Sequence, residues 1–216
     1  MDYAAARRNM VESQLRPNKV TDPALLEALG EVPRELCVPA ALRGVAYVDE
    51  DIPLGRGRFL MEPMIFGRLA GLAAVRPTDV VLLIGAGLGY GAAVLARLTD
   101  RVIALESDHD FAQQTIQTLQ ALGTANVAVV EGPLAAGAPR QAPFDVILFD
   151  GATDRVPSAI LDQLGEGGRL AAVVRTAGIG QATLMTRRGG MVASRVAFDA
   201  AVPLLPGFEH EAAFVF

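Results

Sequence analysis

The sequence predicts an α/β fold: a doubly wound, mostly parallel sheet with helices on both faces and an N-terminal helical cap. Three observations predict it. From Asp79 onward, apolar runs of strand length alternate with segments of helical period. The first run, Val80-Val81-Leu82-Leu83-Ile84, has no polar alternation, as expected of a strand covered on both faces. Half of the 216 residues are hydrophobic, yet aromatics are few and Trp is absent, so small aliphatic side chains must fill the core.

The elements follow in order. Residues 2–16 read as a helix with Tyr3, Ala6, Met10, Val11 and Leu15 on one side, ended by Pro17 and Asn18. Thr21-Asp22-Pro23 supplies a cap and a first-turn proline for a second helix through Leu25, Leu26 and Leu29. Val32–Leu36 is a short third piece. Residues 44–63 read as irregular, and Pro63 opens a helix to about Ala74. Strands are expected at 80–84, 101–106, 126–130, 144–150 and 169–174, with helices after Gly89, over 108–122 and over 156–164. Residues 182–186, 192–198 and 212–216 read as further strands, partly antiparallel. The division expected is 1–63 as cap and substrate-side segment and 64–216 as the sheet domain.

Charge and composition exclude several classes. A net charge of -5 argues against a nucleic-acid binder, which carries a basic face. No apolar run approaches the ~18 residues of a membrane span, and the N-terminus lacks the apolar segment of a secretion signal. The one cysteine, Cys37, reads as a small buried hydrophobe. A cytoplasmic monomer without a metal site is expected.

The chemistry concentrates behind the first strand. Gly85-Ala86-Gly87-Leu88-Gly89-Tyr90 joins a strand to a helix, and its glycines permit a tight turn and close approach of a ligand to the backbone. A dinucleotide fingerprint needs Gly-x-Gly-x-x-Gly; here Tyr90 stands where its third glycine belongs. The Gly-x-Gly-x-Gly order is more typical of enzymes that use S-adenosyl-L-methionine (AdoMet). Glu106 ends the second strand, close to the ~20-residue spacing at which an acid receives ribose hydroxyls. The structural alternative is an ordinary strand–helix turn with a solvated acid. His109 stands either beside an adenine or in solvent at the helix start, and His210 is expected to be exposed.

Two regions carry a family resemblance. One comprises Asn9–Arg16, Val20-Thr21-Asp22-Pro23, Val32–Pro39, Ala46-Tyr47 and Gly55-Arg56-Gly57 followed by Pro63. The other comprises Ile84–Tyr90 with Ala92–Ala96, and later Leu164–Leu170. Together they resemble the protein-L-isoaspartate O-methyltransferases, whose fold is the Rossmann-like AdoMet-dependent methyltransferase fold. The resemblance implies methyl transfer from AdoMet to a carboxylate of a damaged aspartyl residue in a protein or peptide. It implies cofactor contacts at Gly85, Ala86, Gly87, Gly89, Tyr90 and Glu106; Glu131 and Asp150 are further cofactor-side candidates from their places at strand ends. A carboxylate is already ionised at neutral pH, so such an enzyme chiefly positions its substrates and excludes water.

The chain also departs from that pattern. The family's Thr-Ile-Ser before the proline is replaced by Phe59-Leu60-Met61, with Met61 at the serine position and no hydroxyl in the span. Leu83 stands where an acid is usual, Glu131-Gly132-Pro133 replaces Gly-Asp-Gly, and Asp150 is a carboxylate where uncharged residues are usual. Asp150 reads either as a ligand group at the carboxyl end of the sheet or as a helix cap near Val156. These departures, Phe59-Leu60-Met61 above all, predict weak or absent transfer to isoaspartyl peptides. They keep a second reading open: a divergent relative that methylates another substrate or only binds. An NAD-dependent oxidoreductase fits less well, because the glycine spacing is wrong and the only lysine is Lys19.

Overall fold

A computed structural model of the chain describes residues 1–209. The expected strand at 212–216 and His210 lie outside the described residues.

The N-terminal part is helical. α1 (Tyr3–Met10) is capped by the Asp2 carboxylate, continues through a wider turn over 11–15, and ends near Asn18. α2 (Pro23–Glu31) starts as the sequence indicates, with the Asp22 carboxylate accepting from Leu25 N. The span 44–63 is more ordered than its composition suggests. It holds a hairpin of β1 (Ile52–Gly55) and β2 (Arg58–Leu60). Arg56 and Gly57 both have positive φ (51° and 72°), the two-residue turn that matches strand twist. An arginine at that first position is an uncommon choice, so turn chemistry gave no warning. α3 (Pro63–Ala73) then leads to the sheet.

Among the described residues, seven strands make the sheet: β3 (Val80–Ile84), β4 (Arg101–Glu106), β5 (Val127–Glu131), β6 (Phe144–Thr153), β7 (Leu164–Thr176), β8 (Ile179–Arg188) and β9 (Met191–Asp199). Their order is β5-β4-β3-β6-β7-β8-β9, with β3 through β7 parallel and β8 and β9 antiparallel. Three helices lie between these strands: α4 (Tyr90–Leu95), α5 (His109–Ala121) and the short α6 (Ser158–Leu161). Residues 165–168, between the expected helix and strand, are taken up into the long β7. The expected helix over 156–164 shrinks to a single turn behind Pro157.

Successive residues of β3 face opposite sides, which is why the run is apolar throughout. Val81 and Leu83 join Met10, Leu15, Leu29, Phe66 and Leu69 in one core, so the N-terminal helices cover the same layer as the sheet. Leu82 and Ile84 join Phe144, Phe149, Ile160 and Leu205 in the core on the other face. Each such side chain contributes roughly 1.5–3 kcal/mol by leaving water. Strand order reverses between β3 and β6, and ligands of such sheets bind at the carboxyl ends of the strands at this switch point. The glycine loop 85–90 and the end of β6, residues 149–153, lie there.

Candidate active site

The glycine loop is a strained turn that its sequence makes cheap. Gly85, Gly87 and Gly89 have φ of 88°, 56° and 93°, a region that side chains rarely adopt. Gly85 N and Ala86 N both donate to Leu105 O, at 2.9 and 3.0 Å, which ties the turn to the end of β4. Thr115 Oγ1 donates to Gly87 O at 2.8 Å, fixing the loop from α5.

Glu106 meets that loop, as its spacing predicts. Its side chain is fully buried. Oε2 accepts from Gly87 N at 2.9 Å, and Oε1 accepts from Ser107 N at 2.8 Å and Asp108 N at 3.2 Å. The fourth donor has no precursor in the sequence reasoning. Arg58 Nη1, from β2, donates to Oε1 at 2.8 Å, and both side chains are at most 3% exposed. Nothing in the local pattern marked Arg58, because a single arginine after Gly57 looks like a solvated hairpin residue.

The space above the glycines is filled from within the chain. A Cβ placed on Gly85 would lie 2.9 Å from Arg58 Nη2 and 2.7 Å from Leu205 Cδ2; one on Gly151 would lie 2.7 Å from Leu205 as well. Leu54 stands 3.2 Å from the corresponding point on Gly87. Leu205 is held there by backbone pairing: Ala152 N donates to Pro203 O at 2.8 Å and Leu205 N to Ala152 O at 2.9 Å. A small cavity of about 10 Å³, bordered by Asp51, Phe59, Met61, Asp150 and residues 202–205, lies beside that corner.

Beside this cavity lies a buried polar group of residues. Extra residues in β6 between its pairings at Leu148 and Ala152 make a bulge, and Asp150 sits in it. Asp150 is 7% exposed, and its Oδ1 has no hydrogen-bond partner among the described residues. Burial pushes its carboxyl up to about 7, against the pull of the Arg58 and Arg34 charges. Arg34 is fully buried, donates to Ala46 O at 2.8 Å and Met61 O at 2.9 Å, and stacks over the Tyr90 ring at 4.6 Å. Glu62 is also raised, to about 7, first by burial and then by the neighbouring Asp49, Asp51 and Glu50 carboxylates.

The sequence profile of the protein-L-isoaspartate(D-aspartate) O-methyltransferases matches residues 6–205. The chain belongs to this family. A protein-L-isoaspartate O-methyltransferase of Methylorubrum populi is 44% identical over 86% of the chain and 87% of its own length. One from Herpetosiphon aurantiacus is 39% identical over 94% of the chain and 92% of its length. Among solved structures, a protein-L-isoaspartate O-methyltransferase superposes with a TM-score of 0.81 at 23% identity, over 93% of this chain and 66% of that one. A Plasmodium falciparum protein of the same description, solved with S-adenosyl-L-homocysteine, gives 0.77 at 16% identity, over 94% and 97%. These two matches establish the Rossmann-like methyltransferase fold.

Set in the isoaspartate O-methyltransferase fold, the positions singled out in the sequence take definite places. Gly85, Ala86, Gly87, Gly89 and Glu106 converge on one corner. Phe59, Met61 and Asp150 border the small cavity next to it. Tyr90 directs its ring away, into the core between Phe66 (5.6 Å between ring centroids) and Arg34. Glu131 stands at the outer rim, half-exposed, with a carboxylate oxygen 2.8 Å from His109 Nδ1. That carboxylate raises the His109 pKa. Three residues of the site escaped the sequence reasoning: Arg58, Arg34 and Leu205. Among the described residues, no group of His, Cys, Asp or Glu is placed to hold a metal, and no helix is long and apolar enough to cross a membrane.

Proposed function

We infer that the chain is an AdoMet-dependent methyltransferase that esterifies a carboxylate of damaged aspartyl residues in proteins. The observation that carries this reading is the buried Glu106 carboxylate facing Gly85–Gly89 at the sheet's switch point, in a chain of this family. The donor and acceptor chemistry fits the nucleoside end of AdoMet: a carboxylate for the ribose hydroxyls, and glycines where a Cβ would intrude. When bound, AdoMet supplies a methyl group activated as a sulfonium.

The chain's own residues would hold and enclose that group. Glu106 takes the ribose, and the backbone of Gly85, Ala86, Gly87 and Gly89 borders the methionine part. Tyr90 contributes its backbone, since its ring faces the core. Glu131 lies at the rim, on the adenine side. Asp150, Phe59 and Met61 wall the substrate side, where Met61 gives an apolar surface in place of a hydroxyl and excludes water. Segment 1–63 serves as the substrate-side cap on the 64–216 cofactor domain. The substrate is a protein or peptide, and the setting is a cytoplasmic monomer that engages neither nucleic acid nor membrane.

The test is transfer of label from methyl-labelled AdoMet to an isoaspartyl peptide, with the normal aspartyl peptide as control. A base-labile methyl ester on the isoaspartyl peptide alone is expected. No transfer to either peptide would overturn the assignment.

A further inference from the structure

The carboxylate best placed for a ribose already has an occupant. Arg58 donates to Glu106 from inside the protein, and its second nitrogen, Nη2, is buried with no hydrogen-bond partner among the described residues. That nitrogen points at Gly85, 2.9 Å from where a Cβ would stand. Leu205 closes the same corner from the other side. The small cavity beside this corner, about 10 Å³, has room for about one water. Glu106 is fully buried, so ribose hydroxyls reach its carboxylate only where Arg58 and Leu205 give way.

We propose that Arg58 is an internal ligand of the cofactor site: it competes with the ribose for Glu106, and AdoMet binds only as Arg58 and Leu205 withdraw. This rests on the AdoMet reading above. Physical chemistry explains why an arginine sits there. A buried carboxylate without a partner is costly, and a guanidinium neutralises it while no ligand is present. The unpartnered Nη2 makes this closed arrangement poorer than a fully paired one. Ribose hydroxyls replace the guanidinium as donors to Glu106, and Arg58 regains water.

The hairpin that carries Arg58 is suited to letting go. β1 and β2 share three residue pairs. Outside the pocket, Arg56 holds the hairpin to α5 through Asp108 (2.9 and 2.7 Å) and Asp110 (2.6 Å). Arg56 is 60% exposed, so this outer latch is weak and screened by salt. The apparent affinity for cofactor is therefore the intrinsic affinity reduced by the fraction of molecules in which Arg58 is out.

The experiment is calorimetric titration of S-adenosyl-L-homocysteine into the full chain, wild type and Arg58→Gln, with folding of each checked by circular dichroism. Arg58→Gln is expected to bind about tenfold tighter or more, and binding by the variant alone would be the extreme of the same result. Equal or weaker binding by a folded variant overturns the proposal and leaves the AdoMet reading standing. Binding by neither overturns both. Hydrogen exchange on the wild type keeps the proposal testable if the variant fails to fold. With saturating S-adenosyl-L-homocysteine, the amides of residues 56–60 are expected to exchange faster. Unchanged or slower exchange with ligand bound overturns the proposal.

Discussion

Replacing Asp150 by Asn is expected to remove a pH-dependent loss of stability. Burial raises the Asp150 carboxyl from 3.8 to about 7. Between those values the folded chain holds a proton that the unfolded chain has released. Stability therefore falls as pH rises through this window, and the loss is complete above pH ~7. Three units at ~1.36 kcal/mol each give about 4 kcal/mol in all, of which about 2–3 kcal/mol lies between pH 5 and 8. Asn has the shape of the protonated acid and carries no charge to desolvate. Urea unfolding of wild type and Asp150→Asn at pH 5, 6, 7 and 8 measures the difference. The variant is expected to gain on the wild type by that 2–3 kcal/mol across the range. Glu62 rises in the same direction but is present in both proteins, so it cancels. Parallel curves from pH 5 to 8 would refute the reasoning and place the Asp150 titration elsewhere.

Other expectations follow from the packing. Gly180→Ala would put a Cβ 2.1 Å from Ala200 O, so β8 and the segment after β9 must part; a loss of about 3 kcal/mol in urea unfolding is expected. Arg34→Ala strands the carbonyls of Ala46 and Met61 and uncovers Tyr90, which predicts a loss of roughly 3–5 kcal/mol by the same measurement. Met61→Ser returns a hydroxyl to the substrate wall; kcat/KM on an isoaspartyl peptide is expected to rise, while stability falls by about 2 kcal/mol because a buried Met side chain is lost.

Much of this fold was legible because its signals are local. The apolar run Val80–Ile84, the cap at Asp22 and the turn at Gly85–Gly89 each follow from a few adjacent residues, and the structure places each where the spacing indicates. Glu106 was legible for the same reason, since strand length fixes its distance from the glycines. The hairpin at 52–60 was not, because its turn uses Arg56 with positive φ where Asn or Gly is the usual signal. Arg58 and Leu205 were hidden for a different reason. Their importance comes from meeting residues far away in sequence, Glu106 for one and Gly85 and Gly151 for the other. No periodicity encodes such a meeting. Asp150 fell between, noticed as a carboxylate at a strand end, while the bulge that buries it shows only in the pairing of β6 with β7.

The most direct test of the central claim is a crystal structure of the chain with S-adenosyl-L-homocysteine. The nucleoside is expected against Gly85–Gly89, with its ribose hydroxyls on the Glu106 carboxylate and the Arg58 side chain withdrawn from that carboxylate. A ligand bound away from Glu106, or bound with the Arg58–Glu106 pair intact, would contradict it.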